Sequence, residues 1–240
     1  MNEIIKVKNL SKKIKKRTII NNVSFSIEKG DICGFIGPNG SGKTTIMRLL
    51  TNLITPTSGE IYLNNINVNK NRKKALQNIG AIVETPVFFP YFTGEKALLN
   101  LVMLTNLNSK DRKKQVKKVL KIVNLQDQSK YKISTYSLGM KQRLGIAQAL
   151  LNNPKIILLD EPSNGLDPIG IIELRKLILK LNKENNITFF ISSHLLDELQ
   201  KICNKILIIK KGELIWNGKS KDLFNSHTNL EKVFVNLINS

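Results

Sequence analysis

Several things are scarce or missing in this 240-residue sequence. No apolar run approaches the roughly 18 to 20 residues that a membrane span needs. The greasiest longer stretch, ALLNLVMLTNL at 97–107, stops far short. The first residues, MNEIIKVKN, carry an early acid and no apolar h-region, so no signal peptide is read and the chain is expected to stay in the cytoplasm. The two cysteines, Cys33 and Cys203, stand far apart and form no CxxC, which argues against a disulfide framework or a zinc site. Cys33 falls in an apolar strand pattern and reads as a small buried hydrophobe. There is no internal repeat and no low-complexity segment. Acids are few: 18 Asp and Glu against 38 Lys and Arg leave a net charge of +20. Such a surface attracts polyanions, whether nucleic acid, anionic headgroups or phosphorylated ligands. Lysine dominates the basic set, and its densest runs are KKIKKR at 12–17 and KDRKKQVKKVLK at 110–121. In the second run Val116, Val119, Leu120 and Val123 recur at helical spacing, so its lysines read first as a solvated helix face.

Length and composition suit one large domain or two small ones, with enough chain to bury a sizeable core. The alternating, β-branched openings EIIKVKNL and TIINNVSFSI predict strands, as do DICGFI, GEIYLNN, 79–83, KIILLD and ITFFIS. Helices are expected over 43–53, over 94–123 with a break at Asn108-Ser109, over 138–152 and 168–184, in LLDELQKI, and through most of 219–239. KILIIKKGELIWNG reads as two strands around Lys211-Gly212. Strands alternating with helices predict an α/β core. The helix-rich middle, roughly 85–150, looks like an insertion with its own packing.

Three motifs carry chemistry. GPNGSGKTT, 37–45, follows an apolar strand and opens a helix, and Gly37, Gly42, Lys43 and Thr44 fit G-x-x-x-x-G-K-[ST]. Through Pro38, Asn39, Gly40 and Ser41 the backbone can curl its N–H groups inward around phosphate oxygens. The helix N-terminus that begins near Thr45 favours an anion. Lys43 can reach the terminal phosphates, and the Thr44 hydroxyl can face Mg²⁺. KIILLDEPSNGLDP, 155–168, delivers Asp160 and Glu161 at the end of a strand, where ligands bind in doubly wound sheets. Asp160 is placed to hold Mg²⁺ and Glu161 to polarise an attacking water. YSLGMKQRLGIAQAL, 136–150, joins Ser137, Gly139 and Met140 to a helix start: either a helix cap or a second phosphate site. Two cradles in one chain make sense if two copies meet head to tail, each ATP lying between residues 37–44 of one and 137–140 of the other.

With these motifs in this order, the sequence resembles the nucleotide-binding subunits of ABC transporters over nearly its whole length. The resemblance implies an α/β P-loop NTPase core with a mixed sheet, an N-terminal antiparallel β subdomain and an inserted helical subdomain, all within a single domain. Its parts would be 1–84 and 153–218 as the core, 85–152 as the helical subdomain bearing the signature SLGMKQ, and 219–240 as a helical tail. It further implies that Asp167 in NGLD lies at the dimer interface and that His194 in ISSHLLDEL contacts the γ-phosphate. A histidine after a strand is otherwise more often structural. Two positions depart from the family's usual pattern. Ile14 stands where an aromatic commonly stacks on adenine. Glu84 stands where a glutamine usually joins the core to the helical subdomain and touches Mg²⁺ and the attacking water.

Glu84, the following PVFFPYFTGEKALLNL and the terminal LEKVFVNLI resemble the subgroup serving lantibiotic immunity and bacitracin-type export. Phe88 and Phe89 read either as core of the insertion or as lining of a groove that receives a permease. The implied protein is an ATPase using ATP and Mg²⁺, peripheral at the cytoplasmic face of the membrane. It would power a separate permease that exports or clears antimicrobial peptides, without a direct nucleic-acid partner. The alternative is a soluble ATPase of the same kind acting on nucleic acid, ribosomes or cluster assembly. It is disfavoured by the single nucleotide module and by the lack of sustained heptads between GPNGSGKTT and SLGMKQ.

Overall fold

The computed structural model describes residues 3–105 and 107–223. In chain order the elements are β1 (Glu3–Ile14), β2 (Arg17–Glu28), β3 (Ile32–Ile36), α1 (Lys43–Leu50), β4 (Ser58–Leu63), β5 (Ile66–Asn67), α2 (Arg72–Leu76), β6 (Ile79–Ile82), α3 (Gly94–Val102), α4 (Ser109–Ile122), α5 (Leu138–Leu150), β7 (Ile156–Asp160), α6 (Pro168–Asn185), β8 (Thr188–Ser193), α7 (Leu196–Gln200), β9 (Lys205–Lys210), β10 (Glu213–Lys219) and α8 (Ser220–Leu223).

The strands form two sheets. One is antiparallel, in the order β2-β1-β4-β5. Its long strands alternate buried and exposed residues, as a sheet with one wet face must. The other runs β10-β9-β3-β8-β7-β6. Its strands β9 to β6 are parallel, and β10 adds an antiparallel edge. β3, β7 and β8 are buried at every position, which is why ICGFI, IILL and FFI read as continuous apolar runs rather than alternating ones, with buried polar residues only at the strand ends.

The two sheets meet over a shared core. Phe25 of β2 stacks on Phe190 of β8 with ring centroids 5.7 Å apart, and Phe190 stacks on Phe35 of β3 at 5.2 Å. Fully burying a ring of this size contributes about 1.5–3 kcal/mol. A second core packs α3, α4, α5 and α6 against the other face of the parallel sheet, through Leu98, Val116, Leu120, Leu144 and Ile178. Cys33 and Cys203 are both buried, and burial pushes both thiols well above the ordinary range, so both act as small hydrophobes.

Most expected elements are present, with differences at their ends. The first helix stops at Leu50 rather than 53: Asn52 takes a left-handed φ of 51°, and the Thr51 hydroxyl donates to the Met47 carbonyl. Between α3 and α4, Val102 ends one helix and the Asn108 side chain caps the next, accepting from Asp111 N. LLDELQKI supplies only the five residues of α7. The five-residue α2 and two-residue β5 are too short for periodicity to mark. Of the tail expected over 219–240, Ser220–Leu223 is helical and the rest lies outside the described residues. No helix among the described residues is long and apolar enough to cross a membrane.

Candidate nucleotide site

The site is built where the parallel strands run out at their C-terminal ends. β3 ends at Ile36 and the chain curls through 37–42 into α1. Five helices, α2 to α6, receive a side-chain cap at the N-terminus, from Asn71, Thr93, Asn108, Ser137 and Asp167. α1 has none, and no acid lies in its first turn. Its free N–H groups and positive dipole end therefore face the loop. Gly42 takes φ 113°, and a Cβ there would lie 2.6 Å from Ile20 Cδ1, so this turn admits only glycine without displacement. The buried Ser41 hydroxyl has no hydrogen-bond partner in the structure, and its carbonyl accepts from Gly212 N at 2.9 Å. The Gly212 carbonyl in turn accepts from Asn21 N. The β9–β10 turn thus ties the phosphate loop to β2.

Beside the loop opens a cavity of about 350 Å³ lined by Asn39, Gly40, Gly42, Lys43, Thr44, Thr45, Glu161, Asn164 and Ile19. Pro38 is exposed and Gly37 is buried, and neither is among the lining residues. Lys43 is 6% exposed, and its ammonium donates to the carbonyls of Gly37 (2.7 Å) and Pro38 (3.3 Å). The same Nζ lies 3.1 Å from Glu161 Oε1. The other carboxylate oxygen, Glu161 Oε2, is 2.8 Å from His194 Nδ1. Lys43, Glu161 and His194 therefore form one chain of charged and polar groups at the cavity mouth.

Ser192, at the end of β8, fixes the acid pair. Its hydroxyl donates to Asp160 Oδ1 and accepts from Glu161 N at 2.9 Å. Glu161 sits at φ 48°, a left-handed conformation that costs a non-glycine residue about 1 kcal/mol or more. That turn points its carboxylate at the cavity, while Asp160 stays 6% exposed at the strand end. Ser192, Ile19 and Asn164 are the participants that motif reading did not assign to the site. Ser192 stands two residues before His194 in ISSH, and its signal was a polar residue closing an apolar strand.

The remaining residues lie apart from this cavity. Ser137 caps α5, accepting from Met140 N at 3.2 Å, which is the capping alternative; Ser137 is exposed and Gly139 and Met140 are half-buried. Asp167 is exposed and caps α6 through Gly170 N at 2.7 Å. Glu84, at φ 72°, is exposed, and its carboxylate pairs with the guanidinium of Arg48. Arg48 lies one helical turn beyond Thr44 on α1. Ile14 ends β1 at 47% exposure and is not among the cavity-lining residues. Phe88 packs against the helical core, whereas Phe89 is 61% exposed.

A glycine-rich loop on an uncapped helix, with a lysine and a strand-end acid pair, defines a P-loop nucleoside triphosphatase. The comparison with known sequences narrows this: residues 20–164 match the ABC transporter family, and the chain belongs to it. Among its relatives, the bacitracin transport ATP-binding protein BcrA of Bacillus licheniformis is 46% identical over 215 residues, covering 90% of this chain and 69% of that one. The lantibiotic transport ATP-binding protein SrtF of Streptococcus pyogenes is 40% identical over 235 residues, covering 98% and 97%. Among solved structures, the ATP-binding cassette MJ0796, a dimer in a post-hydrolysis state bound to ADP and Pi, superposes with a TM-score of 0.79. It is 29% identical, with 90% of this chain and 98% of that one covered. The chain is accordingly an ATP-binding and ATP-hydrolysing subunit of the ABC transporter class.

Proposed function

We propose that this subunit powers a separate membrane permease that exports or clears antimicrobial peptides, working as a head-to-tail homodimer at the cytoplasmic face of the membrane. The observation that carries the mechanism is the Lys43–Glu161–His194 chain at the mouth of the phosphate-loop cavity. The uncapped α1 terminus and the loop N–H groups hold the phosphates, and Lys43 supplies a point charge. Glu161 orients a water in line with the γ-phosphorus and accepts its proton, while His194 holds the carboxylate and contacts the γ-phosphate. The products are ADP and phosphate.

The oxygen donors here suit Mg²⁺. Thr44 offers a hydroxyl, Asp160 a carboxylate whose other oxygen Ser192 engages, and no cluster of three or more His, Cys, Asp or Glu is found among the described residues. A site of this kind relies on substrate phosphates to complete the shell. When bound, Mg²⁺ neutralises charge on the phosphates. Glu84 pairs with Arg48 and would have to release it to act as a metal ligand. Glu84→Gln should therefore shift the Mg²⁺ dependence of turnover; an unchanged curve removes Glu84 from the metal site.

Head-to-tail pairing is supported by the exposed Ser137 and half-buried Gly139 and Met140, which leave the start of α5 accessible to a second copy, with Asp167 also exposed. We divide the single 1–240 domain into a core (1–84 and 153–218), a helical subdomain (85–152) and a tail (219–240). Glu84 and Arg48 link the phosphate-loop helix to the start of the helical part. Just beyond them, the tilted rings of Phe89 and Tyr91 meet at 5.5 Å on the surface, flanked by Val87, which is 90% exposed. Exposed aromatics of this kind suit a docking groove for permease helices.

The likeness to BcrA, a bacitracin transport protein, and to SrtF, a lantibiotic transport protein, supports a bacitracin or lantibiotic substrate. Expressing the chain with its neighbouring permease in a sensitive host should raise tolerance to bacitracin or a lantibiotic several-fold, and Glu161→Gln should abolish the gain. Unchanged tolerance to both peptide classes overturns the substrate assignment. For the base, Ile14→Phe should raise the preference for ATP over GTP turnover about threefold or more if Ile14 faces adenine. An unaltered ratio removes Ile14 from the base site.

A further inference from the structure

The positive charge of this chain is unevenly distributed. Residues 85–152 hold twelve Lys and Arg but only three Asp and Glu, so nine of the twenty excess charges lie in that segment. On α4, Val116, Val119 and Leu120 are buried, and Lys117 and Lys121 stand exposed one turn apart on the same face. Like charges at that spacing destabilise a helix, and among the described residues no salt bridge joins either lysine to an acid. Lys130 arrives beside them on the turn after α4. The three lysines line a cavity of about 360 Å³ with Leu120, Gln126 and Ser129, and with a single acid, Glu95.

This basic hollow adjoins the exposed aromatics. Thr93 pairs with Lys132 in an isolated bridge, and Pro90 and Phe92 carbonyls accept from Ser134 and Ile133. The 89–93 segment therefore runs beside 131–134. Tyr131, 63% exposed, follows Lys130 directly and places an exposed ring beside the lysines, on the segment that runs along 90–93. Lysines with tyrosines at their margin match the chemistry of a bilayer surface, where cations meet phosphates and amphipathic rings sit at headgroup depth.

We infer that the Lys117–Lys121–Lys130 hollow binds the phosphate headgroups of anionic phospholipids, orienting the helical subdomain on the inner leaflet beside the permease. The inference rests on the membrane-partner reading above. A lipid surface fits better than nucleic acid, because the basic cluster is flanked by aromatics that stand together with one another rather than interleaved among arginines for base stacking.

The test uses the full chain without any permease. It compares flotation on phosphatidylcholine vesicles with flotation on vesicles carrying about one-third phosphatidylglycerol. Wild type should bind only the anionic vesicles, and salt should weaken binding. The triple variant Lys117→Glu, Lys121→Glu, Lys130→Glu should bind on the order of 100-fold more weakly. A matched triple on exposed α6 lysines, Lys176→Glu, Lys180→Glu, Lys183→Glu, should lose far less, and both variants should keep wild-type ATPase. Equal loss in the two triples overturns the site in favour of general charge. So does equal binding to neutral vesicles, or tighter, groove-dependent binding to a single-stranded oligonucleotide. Peptide tolerance in cells reads the transport assignment separately, so the lipid site can fail while that assignment stands.

Discussion

Glu161→Gln should lower the ATP turnover rate by about 10²- to 10⁴-fold, the range expected on losing a positioned general base. Affinity for ATP should not fall, and the geometry gives a reason for it to rise. Glu161 Oε1 lies 3.1 Å from Lys43 Nζ, so this carboxylate competes with incoming phosphate for the same ammonium. Glutamine keeps the shape and removes both the competition and a negative charge that faces the γ-phosphate. His194 loses a charged partner but keeps a hydrogen-bond acceptor 2.8 Å away. Single-turnover hydrolysis beside equilibrium binding of ATP separates the two effects. Near-normal turnover rejects the base role, and weaker binding with normal chemistry would make Glu161 a structural partner of Lys43.

Lys43→Ala should weaken ATP binding by about 100-fold, as expected when a buried charged hydrogen-bond donor to phosphate is removed. Lys43 also donates to the Gly37 and Pro38 carbonyls, so its loss loosens the loop that presents the N–H groups. Lys43→Arg distinguishes charge from shape. Arginine keeps the charge, but its planar fork does not fit a space 6% exposed between two carbonyls and a carboxylate, so little affinity should return. Calorimetric titration of ATP and ADP checks both variants, and a wild-type affinity in Lys43→Ala would remove this side chain from the phosphate site.

The sequence made the parallel core legible because β3, β7 and β8 are buried throughout and spell continuous apolar stretches, closed by polar residues in β7 and β8. It made the phosphate loop legible because a left-handed φ at Gly42 leaves few alternatives to glycine. Its silence elsewhere has equally physical causes. Ser192 holds both Asp160 and the Glu161 amide, but strands separated by 31 residues in sequence meet only through sheet pairing. The pairing of Glu84 with Arg48 is likewise a contact across 36 positions, invisible to any local pattern. The residues around Ser137 read either as a helix cap or as a phosphate site for a second copy, and the resemblance implies Asp167 at a dimer interface. Within one chain each is a helix cap, a role that a serine or aspartate before a helix announces by itself. Phe88 and Phe89 are adjacent in sequence but divide between core and surface, because the irregular segment after β6 turns one ring inward and the next outward.

The Lys211-Gly212 turn joins two antiparallel strands and would ordinarily be a convenient place to graft a tag or a reporter. Here Gly212 is buried, its N–H reaches the phosphate loop and its carbonyl reaches β2, while a Cβ would lie 2.2 Å from the Ile19 carbonyl. Ile19 itself lines the nucleotide cavity. The hairpin tip is thus a keystone between the Ile19 wall of the cavity and the phosphate loop. A protein engineer seeking a permissive insertion point in this chain should pass it by.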